Sequence, residues 1–160
     1  MIALAEFFLL IQRYGLLGLL FASIAGSTIF LPFPVEVFLP LVASARIGLL
    51  EIILTASIGS VIGTLINYGV GFMGIKIAYR KNLRQELKKS KRFVEKHGYI
   101  GLFVLLILPL PLPVDPLTVL AGVWRMDLRR FTLVVFTAKI LKYSFTLRFF
   151  DFMVKWMGFL

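Results

Sequence analysis

The chain has 160 residues, 59% of them hydrophobic, with a mean hydropathy of +0.93 and a net charge of +10. An average soluble domain holds about 45–50% apolar residues, so this composition points to an integral membrane protein and away from a soluble enzyme. With no cysteine and one histidine, neither disulfides nor a protein-built metal site is expected, and no cofactor.

In chain order, residues 1–13 read as an amphipathic helix lying along the membrane surface. Glu6 is the only charge before Arg13 and no small-residue cleavage site follows, which does not match a cleavable signal. Residues 14–31 are apolar and end in "LPFPVE" (31–36), where Pro32 and Pro34 forbid a continuous helix. A crossing helix is expected over about 48–78, because Ile52–Ile75 is uncharged for 24 residues. That run reaches roughly 36 Å, against a hydrocarbon core of about 30 Å. Next comes a basic connector, 80–96, holding eight of the 18 lysines and arginines. A basic loop beside a span marks the cytoplasmic side, and no nucleic-acid motif accompanies it.

The second half repeats the plan. "HGYIGL" (97–102) resembles "YGLLGL" (14–19), and "LPLPVD" (110–115) matches "LPFPVE" at an offset of 79. "AKILKYS" (138–144) lies opposite "GTLINYG" (63–69), pairing Gly63 with Ala138 and Tyr68 with Tyr143. Residues 98–108 give only 11 helical positions before the prolines, roughly 16 Å or half a bilayer. The piece from Pro116 to Met126 is equally short, and a second crossing helix follows over about 128–157.

The expected fold is therefore an all-α membrane protein of two repeats, 14–79 and 97–157. Each repeat is a re-entrant helical hairpin broken at a proline turn (Pro32 and Pro34; Pro111, Pro113 and Pro116), followed by a transmembrane helix. One net crossing per half makes the repeats inverted, with the turns sheltered near the midplane. A plain bundle of four to six spans is the alternative, and 14–31 is long enough for a full span. The basic connector 80–96, with Arg125, Arg129 and Arg130, is placed in the cytoplasm and the near-neutral loop 46–51 outside.

Glu36 and Asp115 follow the two turns directly. A carboxylate at membrane depth is costly, so it pairs, holds a proton or lines a pathway; capping the next helix is the plainer role. Lys139 and Lys142 share one face of the last helix, roughly ten residues from either end and too deep to snorkel. They either neutralise Glu36 or Asp115, or offer a cation to a passing anionic headgroup. Arg125, Arg129 and Arg130 are expected at the interface as topology anchors or headgroup contacts. Gly59, Gly63 and Asn67 form a small-residue packing face, from which Asn67 can reach a broken-helix turn. No phosphate loop, nucleophile triad or catalytic acid pair is present, so catalytic residues are not expected.

"LPFPVE", then "VDPLTVLAGVWRMDLRRF" and "KILKYS", resemble the DedA superfamily, also called VTT-domain or SNARE-associated Golgi proteins. The second half is most similar to its small YqaA-like branch, and the likeness covers roughly residues 14–145. It implies two inverted re-entrant hairpins, lipid scramblase or flippase activity on phospholipid or polyprenyl-phosphate carriers, and Glu36 and Asp115 as the central turn acids. Two departures stand out. Apolar Leu108 and Val114 replace the arginines that usually flank the second turn, and Ser23–Ser27 stand where an additional acid is usual. Asp115, Lys139 and Lys142 are the candidate substitutes.

The expected function is lipid transport between leaflets of the plasma membrane through a polar cleft lined by Glu36, Asp115, Lys139, Lys142 and Asn67. Its partners would be membrane lipids with an anionic headgroup, protons, and a second copy of this small chain. A proton-coupled small-solute or ion transporter, and a non-transporting membrane scaffold, are the competing readings.

Overall fold

The computed structural model describes residues 9, 11, 13–28, 30, 35–37, 39, 42, 47–77, 98–107, 115–156 and 158. Among them all regular structure is helical: α1 (Leu16–Gly26), a single 3-10 turn (Val35–Val37), α2 (Leu49–Ile77), α3 (Tyr99–Ile107), α4 (Asp115–Val123) and α5 (Leu128–Trp156). The basic connector 80–96 and Pro32, Pro34, Pro111 and Pro113 lie outside the described residues. Of the surface helix expected over 1–13, only Leu9, Ile11 and Arg13 are described; all three are helical, with Ile11 buried.

Helix ends follow local chemistry. Gly15 opens α1 at φ 56, a left-handed conformation natural to glycine, and its N–H and C=O bond Ile11 and Leu19 on either side. α1 stops after 11 residues, where Ser27 and Thr28 satisfy the last carbonyls and the Thr28 hydroxyl donates to the Ala25 carbonyl at 2.7 Å. At about 16 Å, α1 itself covers about half a hydrocarbon core. α3 and α4, at nine residues each, are shorter still.

α4 ends three residues before the expected Met126. Arg125 enters the left-handed region at φ 51, the Arg125 N–H bonds the Gly122 carbonyl, and the Met126 N–H bonds the Ala121 carbonyl. This is a Schellman-type stop with arginine where glycine is usual. Asp127 then caps α5 by accepting the Arg130 N–H at 2.9 Å.

α2 and α5, each of 29 residues, are the long helices, within one residue of the expected bounds. Leu49–Gly74 is the one helix among the described residues long and apolar enough to cross a membrane, with a mean hydropathy of 2.0. α5 matches it in length but carries Arg129, Arg130, Lys139, Lys142, Arg148, Asp151 and Lys155.

α2 is the hub. It packs against α1, α4 and α5, while α3 packs on α5. The small-residue face expected on α2 lies on α1: a Cβ at Gly59 would sit 2.7 Å from the Leu20 carbonyl oxygen, and one at Gly63 2.5 Å from that of Ile24. The α2–α4 contact is closer and reciprocal, with Gly71 against the Val119 carbonyl and Gly122 against the Tyr68 carbonyl. Close backbone approach through small residues is how helices associate where lipid removes the hydrophobic drive.

Two buried clusters result, and each mixes the two halves of the sequence. One joins Leu19, Ala22, Val35, Leu39, Val42, Ile52 and Ala56 to Tyr143 and Leu147 of α5. The other joins Val61 of α2 to Leu102, Leu106, Ala121, Phe131, Val135 and Ala138. Gly122→Ala places a methyl on backbone that cannot step aside, so it should lower stability by about 1–3 kcal/mol. Gly74→Ala meets open space and should leave stability unchanged or slightly raised. Thermal unfolding in detergent micelles reads both.

Candidate functional site

The site forms where the 3-10 turn of the first half meets α5 of the second. Glu36 lies in the turn beside buried Val35, and its Oε1 is 2.8 Å from the Lys142 Nζ. The Lys142 side chain is 6% exposed and that of Glu36 20%. Lys139, one turn earlier on the same face of α5, is 5% exposed. Its ammonium lies 5.6 Å from the centre of the Tyr143 ring, and both lysines attract the Glu36 carboxylate. Taking charges out of water costs several kcal/mol per ion, which pairing at this distance offsets.

A chain of buried hydroxyl and amide groups leads away from this pair. The Tyr143 hydroxyl lies 2.5 Å from the Ser60 Oγ on α2, and the Ser27 Oγ donates to Ser60 at 2.9 Å. Asn67, one turn beyond Thr64 on α2, donates from Nδ2 to the Ser27 carbonyl and to the Thr118 Oγ1, both at 3.0 Å. The chain thus runs Thr118–Asn67–Ser27–Ser60–Tyr143 and ties α1, α2, α4 and α5 together. Two further buried hydroxyls, Ser23 of α1 and Ser57 of α2, have no hydrogen-bond partner among the described residues. Buried polar groups are almost always bonded, so two unsatisfied hydroxyls on neighbouring helices are unusual.

Of the expected site residues, Glu36, Lys139 and Lys142 come together, and Asn67 joins them through Ser27, Ser60 and Tyr143. Asn67 bonds Ser27, the residue that closes α1. Asp115 opens α4 with Pro116 next, the order expected of a capping residue, and Thr118 follows one turn on; the Asp115 carboxylate lies outside the described residues. Arg125, Arg129 and Arg130 are exposed around the α4–α5 turn, away from the ion pair: Arg129 is ten residues, about 15 Å, from Lys139 along α5. Arg125 lies over the Phe72 ring, 5.2 Å from its centre.

Ser27, Ser60, Thr118 and Tyr143 were not among the expected site residues. Spacing held a signal for two of them. Ser60, Thr64 and Asn67 follow one α2 face at i, i+4 and i+7, and Thr118 is one turn after Asp115. A correspondence between the halves also emerges. In the matched segments 63–69 and 138–144, Asn67 and Lys142 occupy the same place. Each reaches a short segment of the other half: Asn67 reaches Thr118, and Lys142 reaches Glu36.

Two apolar clusters, a long apolar helix and a buried ion pair between the 3-10 turn and α5 describe a helical membrane protein in which no metal-binding cluster occurs among the described residues. The sequence profile of the VTT domain matches residues 33–152, and the chain belongs to that family, the DedA family of membrane proteins. It is also 26% identical over 143 residues to an uncharacterized protein of Methanocaldococcus jannaschii, covering 87% of this chain and 86% of that one. No solved structure matches the chain significantly.

Proposed function

We propose that the protein moves lipids with an anionic headgroup, phospholipid or polyprenyl phosphate, between the leaflets of the plasma membrane. The observation that carries this reading is the buried Glu36–Lys142 pair joining the two halves of a membrane protein. An intramembrane ion pair is costly and marks a pathway or relay by default.

In this reading α1 with the 3-10 turn, and α3 with α4, belong to re-entrant hairpins related by inverted symmetry, while α2 and α5 cross the bilayer. Helix lengths of 11, nine and nine residues support it, since each covers about half the core. So does the exchange of contacts through Asn67 and Lys142. The connector 80–96 then lies in the cytoplasm.

Transport follows from the site's chemistry. An arriving phosphate offers Lys142 an anion equivalent to the Glu36 carboxylate, so Lys142 passes from one to the other without an unpaired step. Lys139 keeps Glu36 compensated meanwhile. The Ser23 and Ser57 hydroxyls, without a partner among the described residues, are the donors offered to the headgroup, and the acyl chains remain in lipid.

The test is reconstitution in liposomes with labelled phosphatidylglycerol or polyprenyl phosphate. Accelerated leaflet exchange is expected, and no acceleration for any lipid overturns the reading. Solute flux driven by a pH gradient, and lost in Glu36→Gln, would instead establish a proton-coupled solute or ion transporter. A scaffold would show no flux of either kind.

A further inference from the structure

The last turns of α5 have no role in the site. Its buried side chains end at Leu147, so Arg148–Trp156 extends past the packed body formed by the described residues. Phe145, Phe149, Phe152 and Trp156 fall at i, i+4, i+7 and i+11, on one face. All are exposed, Phe152 at 62% and Trp156 at 76%, and the Phe145 and Phe149 rings stack with centres 6.2 Å apart. Beside this stripe Arg148, Asp151 and Lys155 form an exposed charged row, with the Lys155 Nζ 3.1 Å from the Asp151 Oδ2.

The chain has two tryptophans, and they bracket α5: Trp124 four residues before it and Trp156 at its last position. The first stands among Tyr99, whose hydroxyl accepts the Asp127 N–H, and the exposed Arg125, Arg129 and Arg130. Arg129 to Trp156 is 27 residues, roughly 40 Å of helix, close to the 40–45 Å of a bilayer with its headgroups. Tryptophan collects at both membrane–water boundaries because its ring is apolar and its N–H needs a polar partner.

We propose that Arg148–Trp156 is a membrane-interface anchor whose partner is the lipid headgroup layer: Phe149, Phe152 and Trp156 seat among the glycerol and upper acyl groups, and Arg148 and Lys155 bind phosphate. Charge favours lipid over a second copy of the helix. Two cations with one acid between them match anionic phosphates, whereas the same stripe on a parallel copy would oppose like charges. The inference rests on α5 crossing the bilayer, not on transport.

Depth-dependent quenching tests it. A Trp124→Phe variant, with Trp156 as its single tryptophan, is reconstituted in phosphatidylcholine–phosphatidylglycerol vesicles brominated at shallow, middle or deep acyl positions. The shallow label should quench most strongly. Strongest quenching by the deep label, or none by any label because the helix end lies in water or against a second copy, would overturn the anchor. Should Trp124→Phe not fold, the cysteine-free chain accepts Phe152→Cys carrying a fluorophore, read against headgroup and deep spin labels with the same outcomes. A shallow Trp156 in a protein without lipid transport would keep the anchor and sink only the transport reading.

Discussion

Replacing Lys142 by methionine is expected to lower unfolding stability by about 3 kcal/mol and to abolish transport. The substitution fills similar volume but strands the Glu36 carboxylate, 2.8 Å from the lost ammonium, in a mostly buried position. Removing one member of a buried pair costs about 3–5 kcal/mol, and the nearby Lys139 holds the effect to the lower end. Neutralising both partners, Glu36→Gln with Lys142→Met, removes the stranded charge. That double variant should regain most of the stability but none of the transport. The contrast separates the fold's need for a matched pair from the function's need for a charged one. Chemical unfolding in detergent micelles measures the first, and leaflet exchange the second.

The second large effect is expected at Asn67. Asn67→Leu removes donors to the Ser27 carbonyl and the fully buried Thr118 hydroxyl, loosening α1 and α4 from α2 together. Hydrogen bonds between membrane helices average about 0.6 kcal/mol, and an orphaned buried partner adds about 1 kcal/mol or more. A loss of about 2 kcal/mol follows, smaller than at Lys142 because no charge is stranded. Thr118→Val in the Asn67→Leu background should cost less than it does alone, since its bond to Asn67 is already gone. A double-mutant cycle on thermal unfolding checks this.

The two sites differ in kind, although they occupy equivalent places in the matched segments. On the α2 side the contact is neutral and reinforced by the interlocked Gly71 and Gly122, where backbones touch. On the α5 side the contact is an ion pair between side chains. Movement should therefore occur at the Glu36–Lys142 contact while α2 and α4 move as one body.

Much of this was legible in the sequence because it depends on local spacing. The long helices were bounded to within a residue by where charge and apolar runs change. The brevity of α3 and α4 followed from the prolines, and the shared face of Lys139 and Lys142 from helical period alone. Glu36 stood out because a lone acid in an apolar context needs a partner. Which lysine it would choose was not legible, because that depends on how Val35, Leu39 and Val42 pack with Tyr143 and Leu147 of α5. The Tyr143–Ser60 contact, 83 residues apart in sequence, depends equally on the α2–α5 packing. Arg125 concealed the end of α4 for another reason. An arginine in a left-handed C-terminal position breaks the glycine rule by which such ends are read.

A charged bridge that carries the headgroup depends on which charge stands at each end, so exchanging Glu36 and Lys142 is the decisive change. Leaflet exchange of labelled phosphatidylglycerol should be accelerated by the wild-type protein, abolished in Glu36→Lys and in Lys142→Glu, and partly restored when the two are combined. Unchanged exchange in the single variants, both folded, would contradict it.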